Sequence, residues 1–299
     1  MKDTRRQSTY RKKTHNSVLN IILFSLFLVC FAMAIFTQAQ GMKIKSNKKN
    51  LETSIQSMET DIKKTEGNIE TLNKDIETLA AKLKKQQEDS KIVYLTFDDG
   101  PSSNTMKILD ILKQNNVKAT FFVNGKPELE HLYKAIADGG HTIANHTYSH
   151  DYNKIYQSPE AFKADVKKLD DFIERVTGQA PLHLLRFPGG SNNLVGPNRS
   201  NRGNMKNIIQ SITPEYIYFD WNVDSTDAST FKQSKEKIVS SVLNEAVLYH
   251  NSVVLMHDLN PKTTTPEALP EIISGLKEKG YDFDKLTRDS FAPQFTRLN

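Results

Sequence analysis

The sequence predicts an α/β protein, a distorted seven-stranded (β/α) barrel preceded by a transmembrane helix and a helical, coiled-coil-like stalk. Three observations carry that expectation. An apolar run from Val18 to Phe36 follows a basic N-terminus. A heptad of Ile and Leu occupies the segment after it. From residue 91 onward, short β-branched and aromatic runs alternate with helical patterns. The chain accordingly divides into a basic tail (1–17), an anchor (18–36), a stalk (42–90) and a folded domain (91–299).

Lys2, Arg5, Arg6, Arg11, Lys12 and Lys13 precede the apolar run, which is long enough to cross a bilayer as one helix. Basic residues ahead of a span keep the N-terminus in the cytoplasm, so the folded domain is expected outside the cell membrane on a single-pass anchor. A cleaved signal peptide is the rival reading, with Thr37-Gln38-Ala39 as a small-residue cleavage site. The length of the run, above the usual roughly 7–15 residues of a signal core, favours an uncleaved anchor. Cys30, the single cysteine, lies inside the span and follows Val29 and not a small residue, which argues against a lipoprotein anchor, and with one cysteine no disulfide forms within the chain. An exported chain without disulfides points to a bacterial surface, of the single-membrane kind.

Residues 42 to 90 are rich in Lys and Glu and hold no proline. Ile55, Ile62, Ile69, Ile76 and Leu83 fall at one seam position, and Leu51, Met58, Thr65, Leu72 and Leu79 at the other. Ile at a with Leu at d favours a parallel two-stranded coil, which makes a homodimer through the stalk the expected partnership. Asp61 would face Glu66 across such a pair, and Thr65 and Gly67 interrupt the seam. A lone amphipathic helix against another surface is therefore the alternative. Either way, about 40 helical residues span roughly 60 Å, enough to act as a spacer.

Net charge supports the division. The first fifty residues hold ten Lys and Arg against one acid, so the rest of the chain carries −4 of the overall +5. The pI near 9.0 thus describes the anchor region, and a mildly acidic remainder excludes nucleic acid as an expected partner.

In the domain, Ile92 to Phe97 reads as the first strand and Ala119 to Val123 as the second. Between them a helix from near Ser103 carries the apolar positions Met106, Ile108, Leu109, Ile111 and Leu112. Leu184–Leu185, Tyr216 to Phe219 and Ser252 to Met256 mark further strands. Helices are expected around 159–176, 234–248 and 266–279, the last closing on Gly280 as its C-cap. About 200 residues suffice for one barrel around one core.

The strand ends carry the chemistry. Asp98 and Asp99 end the first strand, and His146 and His150 follow another apolar run; two carboxylates with two imidazoles form the ligand set of a hydrolytic metal centre. Strand alternation predicts that Asp98 and Asp99 diverge, one toward the metal and one beside it. An i, i+4 spacing places the two imidazoles on one face if they occupy a helical turn. Alone, Asp-Asp-Gly-Pro is an ordinary turn after a strand, and a paired His on a polar helix is commonplace. Together they point to a metal. Arg186 closes the next strand ahead of Phe187-Pro188-Gly189-Gly190, a fixed cation followed by bare backbone able to aim an N–H at substrate. Asp220, Trp221, Asp224 and Asp227 follow Tyr216–Phe219, and His257-Asp258 follow Ser252–Met256. A single histidine at a strand end is commonly structural, but polar termini on five strands are what a barrel with one functional mouth produces.

These five segments, in this order, resemble the motifs of the polysaccharide deacetylases of carbohydrate esterase family 4: Thr96–Gly100, His146–His150, Arg186–Pro188, Trp221–Asp227 and Leu255–His257. The resemblance spans roughly residues 91–290. It implies a peptidoglycan-type N-deacetylase in which Asp99, His146 and His150 hold Zn2+, or another divalent transition metal such as Co2+, Mn2+ or Ni2+. It further implies Asp98 as general base, His257 as general acid, Arg186 orienting Asp98, Asp227 supporting His257, and Leu255 lining the acetyl-methyl pocket, with Pro188, Gly189 and Trp221 toward the substrate. Two positions depart from the family pattern. Gly189 stands where an aromatic residue is usual, and Ala228 follows Asp227 where a tryptophan is usual, so substrate preference is affected before chemistry. The expected function is removal of N-acetyl groups from a cell-wall polysaccharide, peptidoglycan first; an exopolysaccharide or a chitin- or xylan-like glycan is the alternative within the enzyme class, and a non-catalytic glycan-binding scaffold the alternative outside it.

Overall fold

A computed structural model describes residues 3–195 and 202–298. Of the sequence expectations, the charges from Lys2 to Lys13, the first part of the apolar run (18–22) and the seam residue Leu83 lie outside the described side chains. The chain divides into two compact units, Met1–Lys85 and Gln86–Asn299.

The first unit is one helix. α1 runs Asp3–Asp89 without interruption, so the apolar run and the heptad segment share a continuous backbone. It contains the one helix among the described residues long and apolar enough to cross a membrane, with none of that window buried. Threonines along it, among them Thr53, Thr60, Thr65 and Thr78, return their hydroxyls to the carbonyl four residues back, which satisfies them locally and leaves no need of a partner.

The second unit is built on a curled parallel sheet. In chain order it comprises β1 (Lys91–Gly100), α2 (Thr105–Gln114), β2 (Thr120–Val123), α3 (Glu130–Asp138), β3 (Thr142–Asn145), α4 (Tyr152–Ile155), α5 (Pro159–Thr177), β4 (Leu184–Leu185), α6 (Arg202–Ile212), β5 (Ile217–Tyr218), β6 (Val223–Asp224), α7 (Lys235–Ala246), β7 (Asn251–His257), α8 (Thr264–Glu278) and β8 (Tyr281–Asp284). The strand order is β5-β4-β3-β2-β1-β7-β6, with β8 beside β1. Seven strands therefore make the curled path, and an eighth lies beside it. The extra strand follows from lengths. β2 covers only the C-terminal half of ten-residue β1, and the N-terminal half, Lys91–Tyr94, is free to pair with β8. β5 and β6 end the path at its two edges without pairing to each other among the described residues, so the sheet is a curled half-barrel and not the closed form of the barrel expected from the sequence.

Strand alternation sorts the core. Val93, Leu95 and Phe97 of β1 pack outward with Phe121, Val254 and Met256 under helices α2, α5, α7 and α8. Tyr94 points inward with Phe122, Ala144, Leu184, Phe219 and Val253, and these fill the barrel interior. Continuing inward at every second residue, β1 next presents Thr96 and then Asp98, both buried. The same period on β7 carries Val253 and Leu255 toward His257. Where sequence signals were strong the elements match closely: α5 starts at Pro159 behind an N-cap hydrogen bond from the Ala161 N–H to the Ser158 hydroxyl and stops at left-handed Gly178.

Candidate active site

Asp98 ends the inward row of β1 and is register partner to Phe122 of β2 and to His257 of β7. Its buried carboxylate receives Arg186 Nη1 at 2.8 Å. Arg186 is itself fully buried. Nη1 also donates to Thr96 Oγ1 (2.7 Å), Nε to the Phe219 carbonyl (3.0 Å) and Nη2 to the Asp220 carbonyl (3.0 Å), and the guanidinium lies 4.2 Å from the Phe122 ring centroid. Such a cation has one carboxylate to neutralise it and a rigid fork to orient that carboxylate. Burial pushes the Asp98 carboxyl above its usual range, against the opposing pull of Arg186.

Asp99 breaks the alternation. The β1–β2 register shifts between Asp98 and Gly100, and Asp99 adopts φ 67°, so the two carboxylates do not diverge as a regular strand requires. They converge: Asp98 Oδ2 and Asp99 Oδ1 lie 3.7 and 3.5 Å from His146 Nε2. A left-handed aspartate costs on the order of 1–3 kcal/mol and persists only where its surroundings fix it. Lys126 does so, donating from Nζ to the carbonyls of Asp99 (2.6 Å) and Pro101 (2.8 Å). On the other side Gly100 admits the buried Asp258 carboxylate, whose Oδ2 would stand 2.7 Å from any Cβ at that position.

The histidine pair occupies an irregular loop after β3 and not a helical turn, since α4 begins only at Tyr152. Thr147 and His150 both have positive φ, 67° and 50°. Asn145 and Asn124 hold this path. Asn145 Oδ1 accepts the Thr147 N–H while its Nδ2 donates to the Val166 carbonyl and Asp170, and Asn124 Nδ2 donates to the carbonyls of His146 and Thr147. The rings still meet, at 5.2 Å between centroids.

His146 Nδ1 lies 2.8 Å from the Arg186 carbonyl, an acceptor, so the proton sits on Nδ1 and the Nε2 lone pair faces the aspartates. Burial drives this imidazole down to about 3, which keeps it neutral. His150 Nε2 approaches the same Asp99 Oδ1 at 3.2 Å. That oxygen is the buried side-chain polar atom without a hydrogen-bond donor among the described residues. One carboxylate oxygen and two imidazole nitrogens within 4.8 Å of one another, with a lone pair of His146 aimed at an orphaned anionic oxygen, fit a divalent cation of the borderline transition type. The carbonyl behind His146 supplies the outer support such a ligand needs.

His257 closes β7 beside Asp98. Its Nδ1 is 2.8 Å from Asp227 Oδ1, its backbone N–H donates to Asp227 Oδ2 (2.8 Å), and Thr265 Oγ1 fills the remaining acceptor (2.8 Å). Burial pulls the imidazole down, but the Asp227 hydrogen bond and charge, with the charges of Asp98 and Asp99, outweigh it and lift His257 to about 9. Asp227, conversely, is held below the ordinary carboxylate range because those bonds to His257 outweigh its own burial. A protonated imidazole therefore stands next to a carboxylate and a metal-type cluster, which together offer an acid, a base and a cation site.

Of the substrate-side expectations, Leu255 is buried on the inward row of β7, and Gly189 lies in a turn at φ 77° closed by the Gly190 N–H donating to the Phe187 carbonyl. A Cβ at Gly189 would stand 2.8 Å from the Tyr152 hydroxyl and 3.4 Å from the Asn193 amide, so these two side chains close the space beside the glycine. Tyr156 anchors the turn by donating to the Pro188 carbonyl (2.7 Å). Trp221 packs edge-on against Phe295 at 4.9 Å and lies 5.9 Å from the Arg186 guanidinium, which assigns its ring contacts to the arginine pocket. Sequence reasoning missed Lys126, Asn124, Asn145 and Tyr152. Only Asn145 had a signal, its position directly before His146 at a strand end.

The polysaccharide deacetylase family model matches residues 85–206. A putative polysaccharide deacetylase of Bacillus subtilis, YheN, is 35 % identical over 70 % of this chain and 71 % of its own length. A peptidoglycan-N-acetylglucosamine deacetylase of Bacillus cereus is 34 % identical over 69 % of this chain and 73 % of its own. Among solved structures, the catalytic domain of peptidoglycan N-acetylglucosamine deacetylase from Eubacterium rectale is 38 % identical, covers 70 % of this chain and 94 % of its own, and superposes with a TM-score of 0.64.

Proposed function

The chain belongs to the polysaccharide deacetylase family, and from that premise we propose that it is a metal-dependent hydrolase removing N-acetyl groups from the amino sugars of a cell-wall polysaccharide, peptidoglycan foremost. The observation that carries the metal dependence is the orphaned Asp99 Oδ1 among two imidazole nitrogens. The relatives named for peptidoglycan N-acetylglucosamine support the substrate class.

Asp99, His146 and His150 would hold the ion, Zn2+ or a similar divalent transition metal, which supplies Lewis acidity toward water and the acetamide carbonyl. Asp98, its carboxyl raised by burial, takes the proton of the attacking water. Arg186 keeps that carboxylate aimed and balances its charge. His257, held cationic by Asp227, gives its proton to the departing amide nitrogen, which leaves as an amine only when protonated. A backbone N–H of the turn at Gly189 is the donor for developing oxyanion charge, and Leu255 borders the acetyl methyl. Water and acetamide are consumed; acetate and a free amino sugar are formed.

The apolar part of α1 is read as a single-pass anchor and the remainder as a spacer, which together display the hydrolase on the outer face of the cell membrane within reach of the wall. Incubating the full chain in detergent with purified peptidoglycan and with N-acetylglucosamine oligomers, with and without chelator, tests the whole reading. Chelator-sensitive acetate release is expected from at least one substrate. Acetate from neither overturns the hydrolase, and release from soluble oligomers alone removes peptidoglycan as the substrate.

A further inference from the structure

α1 exposes a long apolar seam with a one-sided electrostatic frame. The eight apolar seam residues between Leu51 and Leu79 are 45 to 64 % exposed, where side chains of this kind are normally buried. Ile occupies the a positions and Leu or Met the d positions, apart from Thr65, the arrangement that favours two parallel strands. The residues flanking that seam from Leu51 to Ala80 include five acids, Glu52, Glu59, Asp61, Glu66 and Asp75, and no base. All three lysines of the segment, Lys63, Lys64 and Lys74, lie on the outer face away from the seam. The partition decides between occupants. A second copy in parallel would set Asp61 against Glu66, and an antiparallel copy would oppose e to e and g to g, pairing acids with acids or with neutral residues. Flanking charge sets partner choice in coiled coils, and like charges there act against self-pairing.

We propose that this face of α1 is a heteromeric coiled-coil surface, and that its partner is a parallel helix with apolar a and d positions flanked by Lys or Arg. The surface stands apart from the hydrolytic reading and survives if that reading fails.

The test uses the full chain in detergent and two synthetic helices matched in length to Leu51–Ala80, both with Ile at a and Leu at d, one flanked by Lys and the other by Glu. The chain alone should sediment as a monomer, and the Lys-flanked helix should bind one to one, at least about tenfold tighter than its Glu-flanked twin, with the difference shrinking in high salt. Ile62→Asp with Ile69→Asp should abolish binding of both helices without affecting deacetylation. Changing Glu59, Asp61 and Glu66 to Lys should reverse the preference. A chain that dimerises more tightly than it binds the Lys-flanked helix, equal binding of the two helices, or binding of neither overturns the proposal.

Discussion

The Arg186 carbonyl accepts the His146 Nδ1–H at 2.8 Å while the guanidinium of the same residue holds Asp98 at 2.8 Å. One residue thereby fixes the tautomer of a metal-type ligand through its backbone and the orientation of the base through its side chain. Only the second role is open to mutation, which makes it separable.

Arg186→Ala leaves a buried carboxylate unpaired and should destabilise the fold by about 3–5 kcal/mol. Adding Asp98→Asn removes that charge, so the double variant should regain a good part of the loss. Denaturant unfolding of the single and double variants checks this; strictly additive losses would contradict the pairing.

Asp98→Asn should lower turnover by about 10²–10⁴-fold, the usual worth of a general base, with metal content unchanged because Asp99, His146 and His150 remain. His257→Ala should cost a similar factor. Acetate release measured alongside metal analysis separates loss of the base from loss of the ion, and wild-type rates in both variants would remove these assignments.

The His257 imidazole is raised from its ordinary 6.5 to about 9. A group whose folded pKa is raised contributes stability that is fully present below about pH 6.5 and fades as pH rises through about 9. The protonated form is also the acid the reaction needs, so activity should fall on the alkaline side near pH 9. Asp227→Asn removes the charge that sustains it and should move the alkaline limb of the pH–rate profile to lower pH. An unmoved limb would detach His257 from that role.

Gly189→Ala forces a side chain into φ 77° and sets its Cβ 2.8 Å from the Tyr152 hydroxyl. The left-handed backbone alone should cost about 1–2 kcal/mol. Tyr152→Phe in the same chain should recover the steric part and not the backbone part, so thermal unfolding of the pair distinguishes the two contributions.

Much of this was legible in the residues themselves. The period of two along β1 sends Tyr94, Thr96 and Asp98 inward, and capping residues at Ser158 and Gly178 bound α5. Two local expectations failed for the same reason. Asp98 and Asp99 were to diverge and the histidines to share a helical turn, yet a bulge and left-handed residues replace both geometries. β6, β8, α3, α4 and α6 were also missed. Two- and four-residue strands and a one-turn helix carry too little periodicity to stand out. By contrast α3, with Leu132, Tyr133 and Ile136 buried, and α6, with Met205, Ile208, Ile209 and Ile212 buried, do repeat at helical spacing and could have been read.

The sequence by itself determined which chemical groups arrive at the open end of the sheet, because strand alternation and strand-end position depend on local spacing alone. Only the tertiary structure decided how they meet. The left-handed backbone at Asp99, Thr147 and His150 is disfavoured locally, and it is held by Lys126 and Asn124, which follow the neighbouring strand β2 and touch it only once the sheet has curled, and by the local Asn145–Thr147 turn bond, whose asparagine is itself fixed by Val166 and Asp170 of α5.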